Sequence, residues 1–536
     1  MTDDASGADQ PGDVPERPAD PPEVRDRWLL VAVAGALAFV AMLDMNIVNV
    51  VLADISQGLR VSAATAQWAV LGYQLPVVAL LLPVGRWLDT VGTRPALLVA
   101  TGGFALCSAL AAASPWAAWL IAARIGQGMC GAVLFVLMPV LAIRSVRPEL
   151  RGRAMSVPAT LGPLGAVTGP AVGGLLLDHL GWRWIFLVNV PLAALAIVVI
   201  LRVLHVPHQP VRHRLDYGGA LTLAVGIVPL LIVAEQGRSW GWGSPRALVM
   251  YAVGVVGLVS FVLLERRMAD AALLPVKLFR IRAFRLGTVL HFTVGITMFG
   301  AMTTLPLYLQ LAKGMSPMKA GLATLPTMAA NVTVTLAVGR LMSRTGRFKV
   351  HLVAGVGSLT VSMLVFATLR DDSPLWYVAI GMVFMGAGLG AAMQTITTLA
   401  QSEVPGRDMG AATASVNFFR SNGGTVGAAA FLSILFSLAG SRIGERLAVA
   451  SQDASFRRLA GEPANAEALK GVLRPDGGVN LEDSAFLRHL DPGVAQPFLE
   501  GYVSALRVVF LTGAAVGLIA FVIAAWRVPN TQLSAD

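Results

Sequence analysis

Long apolar segments separated by short polar ones dominate the chain, and their lengths set the first prediction. A helix needs about 20 apolar residues to cross a bilayer, and such segments follow one another from residue 28 to residue 526. The pattern predicts an all-α membrane protein with fourteen transmembrane helices. Their approximate limits are 28–51, 64–84, 96–113, 117–142, 154–177, 184–204, 217–236, 247–264, 285–309, 317–340, 349–369, 375–399, 410–437 and 503–526.

Two similar segments divide the predicted helices into halves. "GRWLDTVGTRP" ends the second span and "GRLMSRTGRFK" ends the tenth, and each carries Gly-Arg and a second glycine seven residues after the first. An internal repeat of this kind is typical of transporters built from related bundles. We predict six-helix bundles over 28–204 and 284–536. Residues 205–283 form a linker with two extra helices and an amphipathic connector, and 1–27 form an acidic, Pro-rich, disordered tail.

Composition and charge agree with a membrane protein. Hydrophobic residues make up 55% of the chain and charged residues 13%, about half of the charged fraction usual in soluble domains. The net charge is +10, and the basic residues gather in alternate short loops such as "RSVRPELRGR". This asymmetry predicts a multi-pass protein of the cell membrane with both termini in the cytoplasm, and it explains the charge better than nucleic-acid binding does. Segment 438–502 is then an extracytoplasmic cap or flexible loop.

A carboxylate interrupts the first span, "AFVAMLDMNIVNVVLADI". At about 100° per residue, Asp44 points away from Asn46 and Asn49, which lie on a face with small residues. We expect the asparagines to pack against another helix and Asp44 to face a hydrated central cavity. Buried acids in spans are usually functional, so we predict that Asp44 carries a proton. The alternative is a structural partner for an arginine.

The fourth span, "WLIAARIGQGMCGAVLFVLMPVLA", contains the matching base. Arg124 has Gly128 and Gly131 on its helix face, and a guanidinium stays charged even when buried. Arg124 must therefore face a partner or a hydrated cavity; a structural arginine bonded to carbonyl groups is the alternative. The fifth span, "ATLGPLGAVTGPAVGGLL", places glycines on one face, where a neighbouring helix can pack backbone to backbone.

The turn after the second span resembles the loop motif of the major facilitator superfamily. Gly85, Arg86, Asp89, Gly92 and Arg94 fall on its positions, although Thr93 stands where the motif has a basic residue. The resemblance implies the major facilitator fold of two six-helix bundles. It also implies that this cluster is a gate that latches the bundles together on the cytoplasmic side.

Further motifs resemble those of the fourteen-span drug:proton antiporters in this superfamily. The fourth span resembles the family's fourth-span motif, which implies that Arg124 holds or modulates the proton carried by an acidic residue. The fifth-span residues Gly165, Gly169, Pro170, Gly173 and Gly174 match the antiporter motif, which in the family seals the central interface against leak. The first span matches a leucine-aspartate motif, with Asn46 and Ala53 in place of threonine and proline, and "GWRWIFLVNVPLA" matches through Asn189 and Pro191.

The resemblance implies a proton-coupled exporter of lipophilic or amphipathic drugs that works by alternating access. Its partners are then small molecules, protons and the lipid bilayer, without nucleic acid; we expect a monomer, and no cofactor beyond the proton gradient. Export of an endogenous metabolite or lipid is the alternative on the same fold. No motif of an enzyme is present, so a membrane enzyme or sensor is disfavoured. Candidate substrate contacts are Trp68, Tyr73, Gln74, Phe292, Met298 and Phe299.

Overall fold

The computed structural model describes residues 27–147, 150–204, 216–268, 276–345, 348–404, 409–463, 465 and 490–528. Within these ranges the regular structure is helical and contains no strand. The predicted all-α class is therefore confirmed. The predicted tail 1–27 lies almost wholly outside the described residues.

Eight helices lie within the described residues up to position 204. They are α1 (Trp28–Ile47), α2 (Leu52–Gly58), α3 (Ala63–Val91), α4 (Thr93–Ala112), α5 (Ala117–Arg144), α6 (Arg151–Leu180), α7 (Trp184–Leu187) and α8 (Asn189–Val203). Helices α7 and α8 together correspond to the sixth predicted span.

The remaining described helices comprise a hairpin and a second bundle. The hairpin is α9 (Tyr217–Trp240) and α10 (Pro245–Met268), followed by a short 3-10 helix at Val276–Arg280. The second bundle contains α11 (Arg282–Leu311), α12 (Pro317–Ala323), α13 (Leu325–Thr345), α14 (Phe348–Ala367), α15 (Leu375–Gln401), α16 (Met409–Ala450), α17 (Ala454–Ala460) and α18 (Pro492–Arg527).

Thirteen helices in the described part of the chain are long and apolar enough to cross a membrane. The fifth predicted span is not among them, although α6 has 30 residues and thus ample length. Its glycines and prolines dilute its hydropathy. This composition suits close packing against protein better than contact with lipid.

Two predicted boundaries are wrong. Helix α1 ends at Ile47 and gives way to turns, so Asn49 is exposed and does not lie on a helical face. At the other end of the chain, α16 continues to Ala450 and α18 begins at Pro492. The predicted loop 438–502 is therefore helical at both ends, and Ile443 of α16 packs against Gly501 of α18.

The two bundles repeat the same packing. Helix α1 packs on α6 as α11 packs on α16, and α4 packs on α5 as α14 packs on α15. A β-carbon at Gly165 would overlap the carbonyl oxygen of Phe39, and one at Gly423 would overlap that of Phe292. Backbone-to-backbone packing thus occurs at equivalent places in both halves.

The register of the repeat follows from a second pair of contacts. Gly128 of α5 lies against the backbone of Tyr73 in α3, and Gly386 of α15 lies against that of Thr327 in α13. The separation in sequence between Gly85 and its counterpart at position 339 is the same as the separation between Tyr73 and Thr327. The sequence repeat and the packing repeat therefore coincide.

The bundles contact each other through α3 with α16 and through α6 with α12 and α13. Helix α9 joins the first contact, because its leucines and isoleucine share a buried apolar cluster with α3 and α16. Its members include Leu71, Leu75, Val78, Leu82, Leu223, Ile227, Leu231 and Phe418. The extra hairpin consequently packs on the flank of the interface between bundles.

Candidate functional site

A buried ion pair lies inside the first bundle. Nη1 of Arg124 is 2.6 Å from Oδ2 of Asp44, and both side chains are fully buried. Asp44 lies three residues before the end of α1, and Arg124 is the eighth residue of α5, about 10 Å from its start. The pair therefore lies away from the middle of both helices, toward the end of α1 and the start of α5.

Polar side chains from α4, α5 and α8 complete a network around the carboxylate. Nε2 of Gln127 donates to Oδ1 of Asp44 at 3.0 Å and to Oγ of Ser108 at 2.7 Å. Nδ2 of Asn189 donates to the same Oδ1 at 2.6 Å. Asp44 thus accepts three hydrogen bonds, all from side-chain nitrogen atoms.

The arginine is held by more than its ion pair. Its Nε donates to the carbonyl oxygen of Ala69 in α3 at 2.8 Å, and its Nη1 also donates to Oε1 of Gln127 at 2.7 Å. The guanidinium lies 4.5 Å above the ring of Tyr73, a distance suited to a cation–π contact. The sequence offered two alternatives for Arg124, a partner of Asp44 or a structural arginine bonded to a carbonyl group. In the structure Arg124 makes both contacts.

The local sequence explains how α3 and α5 approach closely enough for these contacts. A β-carbon at Gly131 would lie 2.8 Å from the Tyr73 hydroxyl, and Gly128 lies against the Tyr73 backbone. Both glycines follow Arg124 on its own helix face, as predicted. They leave room for the tyrosine ring under the guanidinium.

The environment of Asp44 differs from the predicted water-facing position. The side chain has no exposed surface, because hydrogen-bond partners from α5 and α8 cover the face that the helical wheel left open, and Ser108 of α4 bonds to two of them. Asn46 occupies the opposite face, where its Cβ lies 3.3 Å from the position a Gly169 β-carbon would take. Asn46 therefore packs against another helix on the face opposite Asp44, as predicted.

The predicted gate residues occupy the junction of α3 and α4. Gly92 adopts φ 87° between the two helices, a conformation that favours glycine. Arg94 donates to the carbonyl oxygen of Leu201 in α8 at 3.0 Å. A β-carbon at Gly85 would lie 3.1 Å from Cβ of Ala414 in α16, so Gly85 lies at the contact between bundles. The side chains of Arg86 and Asp89 lie outside the described part.

The glycines of the antiporter motif pack against α1 of their own bundle. Gly165 lies on the backbone of Phe39, Gly169 would place a β-carbon 3.2 Å from the Leu43 carbonyl oxygen, and Gly173 would place one 2.7 Å from Ile47. Gly174 faces open space instead, and the Pro170 side chain lies outside the described part. The expected backbone contact is present, and its partner is α1.

The six candidate substrate residues are dispersed. Tyr73 is fully buried beneath Arg124, so the structure does not support its prediction as a substrate contact. Trp68 borders the apolar cluster of α3, α9 and α16, and Gln74 is half-buried. Phe292, Met298 and Phe299 are half-buried on α11. A groove of about 400 Å³ between α9 and α10 contains none of the six.

Sequence reasoning missed Ser108 and Gln127 and gave Asn189 no role. Gln127 follows Arg124 by three residues and therefore shares its helix face, which was a usable signal. Ser108 stands alone in an apolar segment and gave none. Among the described residues, no group of three His, Cys, Asp or Glu side chains is placed to hold a metal ion.

Comparison with known proteins places these features in context. A family model described as Major Facilitator Superfamily matches residues 34–428. A tetracycline resistance determinant of Streptomyces rimosus is 36% identical over 58% of this chain and 90% of its own. The tetracenomycin C resistance and export protein of Streptomyces glaucescens is 30% identical over 96% of this chain and 94% of its own.

A solved structure has a similar fold. The human organic anion transporter MFSD10 superposes with a TM-score of 0.57 over 94% of this chain and all of its own, at 14% sequence identity. Likeness at this identity concerns the arrangement of the helices. It agrees with the two repeated bundles described above.

Proposed function

Since the chain belongs to the major facilitator superfamily, whose members are secondary transporters and not enzymes, we propose that it is a proton-coupled exporter of lipophilic or amphipathic drugs. The relatives named for drug resistance support drug efflux as the activity. The observation that carries the proton coupling is the fully buried Asp44–Arg124 pair, in a network drawn from α1, α4, α5 and α8.

The burial of Asp44 connects proton transfer to a conformational change. The carboxylate has no exposed surface, so a proton reaches it only when the first bundle or its contact with the second bundle opens. Proton uptake neutralises Asp44 and leaves Arg124 without its counter-charge, a large electrostatic change in a medium of low dielectric constant. Alternating access provides the openings, one toward each side of the membrane.

The direction of transport rests on the predicted orientation. With both termini in the cytoplasm, the Gly85–Ala414 contact lies on the cytoplasmic side and the extended ends of α16 and α18 lie outside. An inward proton gradient then supplies the energy for outward drug movement, and no cofactor takes part. The exporter works as a monomer in the cell membrane.

Inverted membrane vesicles provide the test. Energised vesicles that contain the chain are expected to accumulate tetracycline, tetracenomycin C or another lipophilic drug, and addition of the drug should dissipate the proton gradient. Vesicles with Asp44→Asn serve as the control. Drug accumulation that persists after an uncoupler collapses the gradient would rule out proton coupling.

The same vesicles separate drugs from endogenous cargo. A drug panel that leaves the gradient untouched, together with gradient-dependent accumulation of lipid or metabolite extracts, would assign the alternative substrate class. In that outcome the coupling site stands and the drug assignment falls.

A further inference from the structure

The hydrogen bonds around Asp44 suit one protonation state only. In the ionised state the carboxylate accepts from Arg124 Nη1, Gln127 Nε2 and Asn189 Nδ2. All three neighbouring groups are donors. A protonated carboxyl group becomes a donor itself, so one of these partners must turn an acceptor toward it.

Two of the partners are unable to do so. A guanidinium has no acceptor atom, which excludes Arg124. Gln127 is held at both ends of its amide, because Oε1 accepts from Arg124 at 2.7 Å while Nε2 donates to Ser108 at 2.7 Å. Turning that amide over would point its NH₂ group at the guanidinium.

Asn189 is the partner with the freedom to invert. Its Nδ2 donates to Oδ1 of Asp44 at 2.6 Å and, in a long contact of 3.4 Å, to Oγ of Ser108, whereas its Oδ1 is fully buried and has no hydrogen-bond partner. A half-turn about χ2, a torsion with two broad wells, exchanges the two atoms. Before the turn Oδ1 is unpaired, and after it Nδ2 is unpaired and has also left the long contact with Ser108. The hydrogen bond from a protonated Asp44 to Oδ1 must therefore supply the difference between the two orientations.

Asn189 also stands at a break in the chain of helical hydrogen bonds. Helix α7 ends at Leu187, Val188 forms a turn, and Asn189 is the first residue of α8. Pro191 has no N–H to donate back across this junction. A change at Asn189 therefore acts directly at the junction between α7 and α8.

We propose that Asn189 is the positioning residue that exchanges its hydrogen-bond partner atom when Asp44 is protonated, and so passes the protonation state to the α7–α8 junction. This inference rests on the proposed proton coupling. In this proposal the Asn189 amide turns over when Asp44 is protonated, whereas the Gln127 amide keeps its orientation.

The surroundings of Asp44 contain few other groups that could produce the same response. Helix α5 contributes Arg124, and α3 contributes Tyr73, whose hydroxyl donates to the Ala41 carbonyl oxygen at 3.5 Å. The two thiols of α4 and α5 lie at the contact between these helices, Cys130 of α5 against Gly103 and Cys107 of α4 against Gly126. Helices α4, α7 and α8 contribute Ser108, Phe186 and Asn189 to the network around the ion pair, and none of these three side chains titrates near neutral pH.

Infrared difference spectroscopy of the purified full chain tests the inference without transport. Spectra are recorded as the pH is stepped between about 4 and 9, with asparagine labelled by ¹³C at the side-chain carbonyl. We expect the carboxyl C=O band of Asp44 and one labelled amide band to change together. Both changes should vanish in Asp44→Asn, and the amide change should vanish in Asn189→Ser.

Substitutions give a second readout. Asn189→Leu removes a donor to the carboxylate and should raise the titration midpoint of Asp44 by about one pH unit. Asn189→Ser keeps a hydroxyl that can donate or accept, and should move the midpoint by less than about half a unit. Asn422→Leu is the matched control, because that amide bonds to the Phe418 carbonyl oxygen in the other bundle, and it should leave the midpoint unchanged.

The outcomes separate the two proposals. A titrating Asp44 with a silent amide band, or equal midpoints in the wild type and Asn189→Leu, would overturn the role of Asn189 and leave proton coupling intact. An Asp44 that does not titrate would remove both the coupling group and the need for a responder. Joint change of the two bands supports the inference.

Discussion

Gly165 of α6 lies so close to Phe39 of α1 that a β-carbon on the glycine would overlap the phenylalanine carbonyl oxygen. The contact joins two backbones, and neither can yield as a flexible side chain would. It fixes the position of α1, which carries Asp44, relative to α6, which also contacts the second bundle. The packing of this glycine therefore bears on the geometry of the buried ion pair.

Gly165→Ala is expected to destabilise the protein. The added methyl group has no space against the Phe39 backbone, and overpacking of this kind costs about 1–3 kcal/mol. Gly174→Ala is the matched control in the same helix, since nothing lies within 4 Å of its β-carbon position. There the better helix propensity of alanine should stabilise by up to about 1 kcal/mol. Thermal unfolding in detergent measures both, and equal midpoints would contradict the tight contact.

Asp44→Asn is expected to abolish drug-dependent proton flux in proteoliposomes, because the amide has no ionisable group. The variant should also lose stability, since Arg124 is left as a buried unpaired cation at a cost of about 3–5 kcal/mol. The double variant Asp44→Asn/Arg124→Gln removes that cation. It should recover stability without recovering flux, which separates coupling from folding; normal flux in either variant would contradict the role of Asp44.

Arg124→Lys is expected to be a poor replacement although it keeps the charge. The arginine bonds Ala69 through Nε and both Asp44 and Gln127 through Nη1, and a single ammonium group cannot match this fork. Loss of one charged hydrogen bond costs about 1.5–3 kcal/mol. Arg153→Lys, at an exposed arginine beside Trp28, should change stability by less than about 0.5 kcal/mol. Similar unfolding midpoints for the two variants would argue against the fork.

Gly85→Leu is expected to disfavour the conformation described here. The side chain would enter the contact with Ala414, where even a β-carbon would be 3.1 Å from its neighbour. The population should shift toward a state in which α3 and α16 separate at this end. Gly102→Leu on α4 is the control, because nothing lies within 4 Å of that position.

Distances between spin labels measure this shift. Spin labels are placed at Arg202 and Val350, which are exposed and lie near the last residue of α8 and near the first residue of α14. Cys107 and Cys130 are first replaced by alanine, and the distance between the labels then reports the separation of the two bundles. The mean distance should increase in Gly85→Leu and stay unchanged in Gly102→Leu. An unchanged distribution in both variants would show that Gly85 does not hold the bundles together.

The internal repeat confines the ion pair to one half. When the two halves are aligned so that Phe39 matches Phe292, Asp44 matches Thr297. When they are aligned so that Gly128 matches Gly386, Arg124 matches Met382. Both counterparts are buried, and neither is charged. The two bundles thus share their backbone packing and differ in their chemistry.

The sequence by itself determined the helical class, the approximate spans and the small-residue face of α6. These properties follow from local length and periodicity, because a span must be apolar over about 20 residues and glycines three or four apart share a face. The position of Asn46 on the packed side of α1 followed from the same geometry. The turn at Asn49 did not, since a helical wheel assumes that the helix continues.

Only the tertiary structure decided what surrounds Asp44. Its partners come from positions 80, 83 and 145 residues away, and no local pattern relates a residue to others at such separations. The wheel left one face of Asp44 open, and whether water or protein occupies that face depends on how α4, α5 and α8 pack. Their packing places Gln127, Ser108 and Asn189 there, because a buried carboxylate is stable only where donors and an opposite charge converge.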